Sequence, residues 1–207
     1  MNERRGRIMD QNKTKLVELL VENNILKFGE FSLKSGKKSW FYIDLRLISS
    51  FPDTFDYVIK CYLQILDSIK KVDALAGVAV AGVPFSAVLG YVRKVPSIIV
   101  RPQPKEHGLK KIVEGDIPKN SEVVLVDDLI TTGSSKIPGI LALKEQGFKI
   151  RNMIVLVDRS QTQLTELKEL DVELRSFIKI EEIFEECLHI ESEKITEEIK
   201  ELIKQNL

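Results

Sequence analysis

Two adjacent carboxylates, Asp127 and Asp128, follow four apolar residues and stand just before a small, hydroxyl-rich segment at 131–135. The apolar residues predict a buried parallel strand, and the pattern at 137–143 predicts a helix. A loop between the carboxyl end of a strand and the amino end of a helix presents free backbone N–H groups and the positive end of the helix dipole to an anion. Gly133 lets the chain approach such an anion closely. The segment therefore predicts a phosphate site.

The two carboxylates need a partner other than the phosphate, because like charges repel each other. Ribose hydroxyls are suitable, since a carboxylate accepts two hydrogen bonds from a vicinal diol. A phosphate and a diol side by side describe a ribose 5-phosphate. The alternative at this point is an aspartate pair that caps an ordinary helix. A Walker A loop is excluded, because the sequence has no G-x-x-x-x-G-K-[ST] here.

The length of 207 residues predicts one domain with a substantial core. Its 31 lysines and arginines balance 31 aspartates and glutamates, so no net field favours nucleic acid or a membrane surface as a partner. No apolar run approaches the roughly 20 residues of a membrane span. Cys61 and Cys187 lack metal-ligand spacing, and reduced core thiols in a cytoplasmic protein are the simplest interpretation.

The elements that must hold the carboxylates and the loop alternate between strands and helices. Strands are predicted at 73–80, 97–100, 123–126, 149–157 and 171–178. Helix caps are predicted at Asp10 or Asn12, at Asp53 and at Ser192, and a disordered tail is predicted at 1–9. The alternation predicts an α/β fold, with a mainly parallel central sheet flanked by helices and with ligands at the carboxyl ends of the strands.

Three further segments carry residues suited to charged ligands. The turn at 81–84 joins a strand to a helix, and its small residues expose backbone donors for a diphosphate. The loop at 101–114 combines prolines, a glycine and several charges, which is typical either of a solvated linker or of a lid over a charged substrate. Arg159 follows a predicted strand, where its planar fork suits a carboxylate.

The segment 28–46 predicts a hairpin near the amino terminus. Ser35 and Gly36 form a turn signal, and an aromatic cluster that includes Phe41 and Tyr42 then resumes a strand. From the residues alone, this is a hairpin with aromatic core side chains.

Separate motifs between Phe28 and Gln161 resemble those of the type I phosphoribosyltransferases and follow that family's order. VVLVDDLITTGSS resembles the family's signature for phosphoribosyl pyrophosphate (PRPP). The turn at 81–84 resembles its pyrophosphate loop, and R-x-x-x-K-x-H-G at the start of 101–114 resembles its catalytic loop. F-x-L-K-S-G-K-x-S-x-F-Y-I-D and V-D-R-x-Q are similar to segments of the orotate phosphoribosyltransferases.

The resemblance implies a role for each matching residue. Catalysis at the diphosphate is implied for Arg101, Lys105 and His107. PRPP binding is implied for Lys34, Ala81, Gly82, Asp127, Asp128, Leu129, Ile130, Thr131, Thr132, Gly133, Ser134 and Ser135. Orotate binding is implied for Phe41, Tyr42, Thr131 and Arg159, with the arginine on the orotate carboxylate. Ala81 stands where bacterial members of the family often have lysine, and Pro102 where many members have one. Each replacement removes a positive contact of the family pattern, and Lys110 or Lys111 could compensate for the one at Pro102.

The implied reaction transfers the phosphoribosyl group from PRPP to orotate and gives orotidine 5'-monophosphate and pyrophosphate, a step of pyrimidine synthesis. The resemblance also implies a Mg²⁺ cofactor held through substrate oxygens and water, with no direct metal ligand from the protein. It implies a homodimer in which the lid at 101–114 closes the neighbouring subunit's site. Residues 28–46 are implied to form a small amino-terminal hood within one phosphoribosyltransferase domain, 1–207.

Three other interpretations of the same motifs stay open. The first is a phosphoribosyltransferase for another nucleobase, against which Arg159 and the F-S-L-K-S-G segment argue. The second is a non-catalytic regulator that binds PRPP, and the third is a structural α/β module.

Overall fold

The structure, a computed structural model, describes residues 2–32, 36, 38–101 and 112–207, with side chains from Gln11 onward. The chain divides into two compact units, Met1–Val58 with Ile178–Leu207, and Ile59–Phe177. The prediction of a single domain stays a prediction, because a division by contacts does not test whether the two units fold separately.

Seven helices and eight strands occur in the described part of the chain. In chain order they are α1 (Asn2–Glu22), β1 (Leu26–Ser32), β2 (Lys38–Ile43), α2 (Pro52–Leu66), β3 (Ala74–Val78), α3 (Gly82–Arg93), β4 (Ser97–Val100), β5 (Val113–Glu114), β6 (Glu122–Ile130), α4 (Ile137–Glu145), β7 (Lys149–Asp158), α5 (Thr165–Glu169), β8 (Glu173–Lys179), α6 (Ile180–His189) and α7 (Glu197–Lys204). Short 3₁₀ segments, Leu45–Ser50 and Ser134–Lys136, precede α2 and α4.

A six-stranded sheet with the order β5-β4-β3-β6-β7-β8 forms the larger architecture. The ladders between β3 and β4, β3 and β6, and β6 and β7 are parallel, whereas β4 and β5 pair antiparallel. Every residue of β3 is buried, as expected for a strand covered on both faces. The predicted α/β class with a mainly parallel sheet flanked by helices is confirmed.

Strand β6 is longer than its predicted span of 123–126. Its ladder with β7 continues through Asp127 opposite Val155 and Ile130 opposite Asp158. The apolar run in β7 supplies a partner over this whole length, so backbone pairing overrides the low strand propensity of aspartate. The two carboxylates therefore lie within the strand, near its carboxyl end, instead of after it.

The amino-terminal unit contains the predicted hairpin, with β1 and β2 antiparallel and a register irregularity between Phe28 and Phe31. The ring centroid of Trp40 lies 5.9 Å from that of Phe28 and 4.6 Å from that of Phe184 in α6. Aromatic packing of this kind stabilises a two-stranded ribbon that is marginal alone.

The predicted helix caps at Asp10 or Asn12, at Asp53 and at Ser192 are wrong. Helix α2 begins at Pro52, so Asp53 lies in its first turn and does not cap it. Helix α1 begins at Asn2 instead of Asp10 or Asn12, and the segment 1–9, predicted as a disordered tail, has helical backbone from Asn2 onward. This segment is rich in good helix formers and has no proline. The last helix is capped by Thr196, whose hydroxyl accepts the N–H of Ile199, while Ser192 accepts the N–H of Lys194 in a local turn.

Beneath the carboxyl end of β6 lies Tyr62 of α2, which is fully buried. Its hydroxyl donates to the backbone carbonyl of Asp127 at 2.7 Å, and its ring centroid lies 5.2 Å from that of Phe85. Burial, with the nearby aspartate charges, raises the pKa of Tyr62 well above its usual value, so the hydroxyl remains a donor. This hydrogen bond fixes the backbone from which the first carboxylate projects.

Candidate active site

The carboxyl groups of Asp127 and Asp128 differ in burial and in partners. The side chain of Asp127 is only 3% exposed, whereas Asp128 is partly exposed. An oxygen of Asp127 accepts the N–H of Asp128 at 3.0 Å, and an oxygen of Asp128 accepts the N–H of Leu129 at 2.7 Å. Burial, followed by the charge of Asp127, raises the pKa of the Asp128 carboxyl to about 7. The pair was predicted to act together on ribose hydroxyls, but its two members are not equivalent.

Lys136 is a partner of this pair that the sequence analysis missed. Its Nζ donates to the second carboxylate oxygen of Asp127, and its own side chain is only 15% exposed. A lysine directly after the hydroxyl-rich loop is the signal that was present in the sequence. Both oxygens of Asp127 therefore have donors from within the protein.

The predicted phosphate loop at 131–135 connects β6 to the 3₁₀ turn that leads into α4. Gly133 has a φ of 78°, in the left-handed region that favours glycine, and its carbonyl accepts the N–H of Lys136 at 2.8 Å. The hydroxyls of Thr132 and Ser134 lie 3.0 Å apart, and the loop residues other than Gly133 are exposed. The loop thus presents hydroxyls and backbone to solvent at a helix amino end, as an anion site requires. Leu129 and Ile130, also assigned to PRPP, are the last two residues of β6, and Ile130 is buried.

The predicted diphosphate turn lies between β3 and α3. Gly82 begins α3, and a Cβ on it would collide with the carbonyl oxygen of Val126 in β6. This close approach sets Ala81 and the amino end of α3 beside the carboxyl end of β6. The peptide bond between Ala79 and Val80 is cis, and Val80 is 81% exposed. The turn and the aspartate pair are therefore neighbours, as the parallel pairing of β3 with β6 dictates.

Arg159 lies at the carboxyl end of β7, next to the phosphate loop. Its backbone N–H donates to the carbonyl of Ile130 at 2.8 Å, across the last rung between β6 and β7. The carboxylate of Asp158 accepts the N–H and the hydroxyl of Ser160 at 2.8 and 2.6 Å, which closes the turn around the arginine. Partial burial lowers the pKa of Arg159 from its usual value. A guanidinium with reduced hydration at this edge suits a carboxylate ligand.

Arg101 stands at the end of β4, where the predicted lid begins. Its backbone N–H donates to the carbonyl of Ile112 at 2.8 Å, and its Nε donates to Glu114 at 3.2 Å. The short β4–β5 ladder and this ion pair hold the two ends of the lid segment together. Glu114 is a second partner that sequence reasoning did not single out.

Phe41 and Tyr42, predicted to lie beside the base, are successive residues of β2 and point to opposite faces. The ring centroid of Phe41 lies 4.9 Å from that of Phe184, within the aromatic cluster of the amino-terminal unit. Tyr42 is 38% exposed, and its ring centroid lies 5.6 Å from that of Phe31. Of the two rings, that of Tyr42 is the more accessible to a ligand.

Lys34, Lys105 and His107 lie outside the described residues, as does the lid between Arg101 and Ile112. Their predicted roles stay predictions. Within the described ranges, no group of three or more His, Cys, Asp or Glu side chains comes together as a metal site. None of the helices described is long and apolar enough to cross a membrane.

Comparisons with known proteins agree with this geometry. Residues 51–188 match the family model of the phosphoribosyl transferase domain. The orotate phosphoribosyltransferase of Pyrobaculum islandicum is 40% identical over 70% of this chain and 75% of the relative, and that of Methanopyrus kandleri is 36% identical over 84% and 93%. The chain belongs to the orotate phosphoribosyltransferase family.

Solved structures give the same result for the fold. The crystal structure of orotate phosphoribosyltransferase from Aeropyrum pernix matches with a TM-score of 0.73 at 34% identity, over 82% of this chain and 96% of that chain. The family inferred from the sequence motifs is therefore confirmed.

The raised pKa of the Asp128 carboxyl predicts that this group stabilises the folded protein less as the pH rises. Its ordinary pKa is 3.8, and in the folded protein it is about 7, so between these values the folded state binds more protons than the unfolded state. The stabilisation by Asp128 is fully present below about pH 4 and is lost as the pH rises through 7. The variant Asp128→Asn has no such loss. Its free energy of unfolding, relative to wild type, should grow by about 2–3 kcal/mol between pH 5 and pH 7.5.

Urea unfolding of both proteins at each pH measures this difference. Asp116→Asn, which removes an exposed carboxylate of the same unit, is the matched control. Parallel pH profiles for wild type and Asp128→Asn would show that the carboxyl does not hold its proton in the folded state.

Proposed function

We propose that the protein transfers the phosphoribosyl group of PRPP to orotate, giving orotidine 5'-monophosphate and pyrophosphate, in pyrimidine synthesis. The observation that carries this proposal is the hydrogen bond from the Arg159 N–H to the Ile130 carbonyl. It holds the backbone of Arg159, the proposed partner of the base carboxylate, next to the strand end from which the proposed 5'-phosphate loop continues. The names of the sequence relatives support orotate as the base.

The phosphoribosyl half of the substrate fits the end of β6. The loop at 131–135 offers backbone donors and hydroxyls to the 5'-phosphate. Thr131 is also assigned to the binding of orotate. Asp128, in its ionised form, accepts hydrogen bonds from the ribose hydroxyls. Fixing both ends of the sugar aligns its anomeric carbon with the incoming base, and such alignment is a large part of the catalytic effect.

The diphosphate leaves as negative charge while positive charge develops on the ribose ring, so catalysis requires cations and N–H donors at the leaving group. The turn at Ala81 and Gly82 supplies backbone donors there. Arg101 and Lys105 neutralise the developing charge, His107 donates a hydrogen bond or a proton to it, and Lys34 binds the substrate phosphates.

Magnesium fits this site as an ion carried by the substrate. The partly exposed carboxyl of Asp128 can accept hydrogen bonds from water molecules around a hard cation, in keeping with the preference of Mg²⁺ for retaining its waters. When bound, Mg²⁺ neutralises part of the charge on the diphosphate.

A cytoplasmic homodimer completes the proposal. Both cysteines are buried free thiols, and burial raises the pKa of each to about 12, so they remain protonated and unreactive. Free thiols of this kind are typical of proteins in a reducing compartment. At the end of α3, Tyr91 and Val92 are 74% and 46% exposed, and a twofold contact would cover them. The lid at 101–114 would then close the partner's site.

Arg159→Ala tests the choice of base. Loss of a charge-assisted contact to the orotate carboxylate should weaken orotate binding by roughly 2–3 kcal/mol, which raises its KM about 30- to 150-fold. The KM for PRPP should change little, because the loop and Asp128 stay intact. Arg159→Lys should recover only part of the loss, since an ammonium cannot make the bidentate contact.

Steady-state kinetics with each substrate varied in turn make this measurement. Arg151→Ala, which removes an exposed arginine near the opposite end of the same strand, is the control and should leave both KM values unchanged. An Arg159→Ala enzyme with a normal KM for orotate and a raised KM for PRPP would show that the arginine serves the phosphoribosyl group.

Mixing two variants that are each nearly inactive when orotate is close to its wild-type KM tests the shared lid. Lys105→Ala has a defective lid and Arg159→Ala a defective base site. In a mixed dimer with crossed lids, the Lys105→Ala subunit borrows the intact lid of its partner, while the other site has both lesions. Random exchange makes about half of the dimers mixed, so roughly a quarter of wild-type activity should return.

Native mass spectrometry establishes that subunits have exchanged before the activity is read. If exchange is complete and the mixture is no more active than its parents, each lid serves its own subunit.

A further inference from the structure

The ion pair between Lys136 and Asp127 is a feature of the phosphoribosyl site that the assigned roles leave unexplained. Both side chains are largely buried, 15% and 3% exposed, so the pair is shielded from water and salt. An exposed pair of this kind contributes little, whereas removal of one partner from a buried pair leaves an uncompensated charge. Removal of Lys136 would therefore leave the Asp127 charge buried and unpaired.

The pair also ties together the two ends of the phosphate loop. Asp127 lies near the end of β6, with its carbonyl held by the Tyr62 hydroxyl, and Lys136 ends the 3₁₀ turn that leads into α4. The loop between them has exposed residues apart from Gly133, so burial does little to fix its conformation. A link across its base sets the spacing of its ends.

The charge of Lys136 matters as much as its position. Two ionised carboxylates next to the loop would oppose a phosphate at short range in a partly desolvated site. Lys136 cancels the charge of Asp127, whereas the partly exposed carboxyl of Asp128 accepts the N–H of Leu129 and has no lysine bound to it in an ion pair among the described residues. The two aspartates thus have separate tasks.

We propose that Lys136 is a positioning residue of the phosphoribosyl site. Its ion pair with Asp127 fixes the loop at 131–135 and cancels the Asp127 charge, so that Asp128 alone serves as the carboxylate for the ribose hydroxyls. This inference rests on the proposed use of a phosphoribosyl substrate, but it does not depend on the identity of the base.

The test compares Lys136→Met, which keeps most of the side-chain volume and removes the charge, with Lys136→Arg, which keeps the charge. Calorimetry with ribose 5-phosphate measures the loop and the ribose site without catalysis, and kinetics give the KM of each substrate. For Lys136→Met, the dissociation constant of ribose 5-phosphate and the KM for PRPP should both rise about tenfold or more, with the KM for orotate within about twofold. Lys136→Arg should restore most of the affinity.

Lys144→Met is the matched control, because Lys144 lies on the following helix and donates to the carbonyl of Leu170, outside the loop. Its binding of ribose 5-phosphate should equal that of wild type. A lower melting temperature of Lys136→Met is expected in either case, because the Asp127 charge is left buried and unpaired. A purely structural ion pair would change both KM values alike, and that result would overturn the inference.

The double variant Asp127→Asn with Lys136→Met leaves no unpaired buried charge. It should bind ribose 5-phosphate more tightly than Lys136→Met and more weakly than wild type, because the repulsion is gone but the link is not restored. It also supplies the measurement if Lys136→Met does not fold. Wild-type affinity in the double variant would overturn the positioning role.

Failure of the proposed reaction is distinguishable from failure of this inference. A wild-type protein that binds ribose 5-phosphate but does not convert orotate would refute the choice of base and support the inference, provided that Lys136→Met binds the sugar phosphate more weakly. A wild-type protein that binds no ribose 5-phosphate would overturn the inference itself.

Discussion

A carboxylate buried beside a phosphate loop must be neutralised, and much of the site is arranged around this requirement. The Asp127 carboxylate accepts hydrogen bonds from the Lys136 ammonium and from the N–H of Asp128. The Asp127 backbone carbonyl accepts one from the Tyr62 hydroxyl. These contacts come from β6, α2 and the turn before α4, so three elements meet at one aspartate. The ammonium and the Asp128 N–H offset the cost of burying the carboxylate charge, while the Tyr62 hydroxyl holds the backbone. Rigidity at this point would fix one end of the exposed loop that is proposed to hold the 5'-phosphate.

The parallel ladder between β6 and β7 brings together the segments proposed to bind the sugar phosphate and the base. Its last rungs pair Ile130 with Asp158, so the residue after each strand faces the same edge of the sheet. The phosphate loop continues from one strand and Arg159 from the other, and one backbone hydrogen bond joins them. Positions set by sheet pairing are more rigid than positions set by loops alone. The distance between the proposed base and phosphate sites is therefore set by the pairing of β6 with β7.

Close packing at the same edge of the sheet explains why Gly82 begins α3. Gly82 packs against the carbonyl of Val126, and any larger residue would push the diphosphate turn away from the aspartates. The turn, the carboxyl pair and the phosphate loop thus occupy one edge through contacts between β3, α3 and β6. The position of the proposed PRPP site is therefore set by strand order and close packing.

The sequence predicted the α/β class and the positions of the loop and Arg159, but not every side chain that contacts the site residues. The apolar runs and the D-D-x-x-T-T-G-S-S pattern located the loop and Arg159, because local composition and chain order determine both. Burial of Asp127 and its pairing with Lys136 were not predicted, since they depend on how the turn before α4 folds back onto β6. The contact of Glu114 with Arg101 was not predicted either, because it depends on the pairing of β4 with β5.

The most direct test of the account is a competition assay for the base. The purified protein is given PRPP, Mg²⁺ and a mixture of orotate, uracil, adenine and hypoxanthine, and the products are separated and identified. The account predicts that orotate is consumed with the release of one pyrophosphate per orotidine 5'-monophosphate, while bases that lack a carboxylate remain. Conversion of another base in preference to orotate, with PRPP consumed, would contradict it.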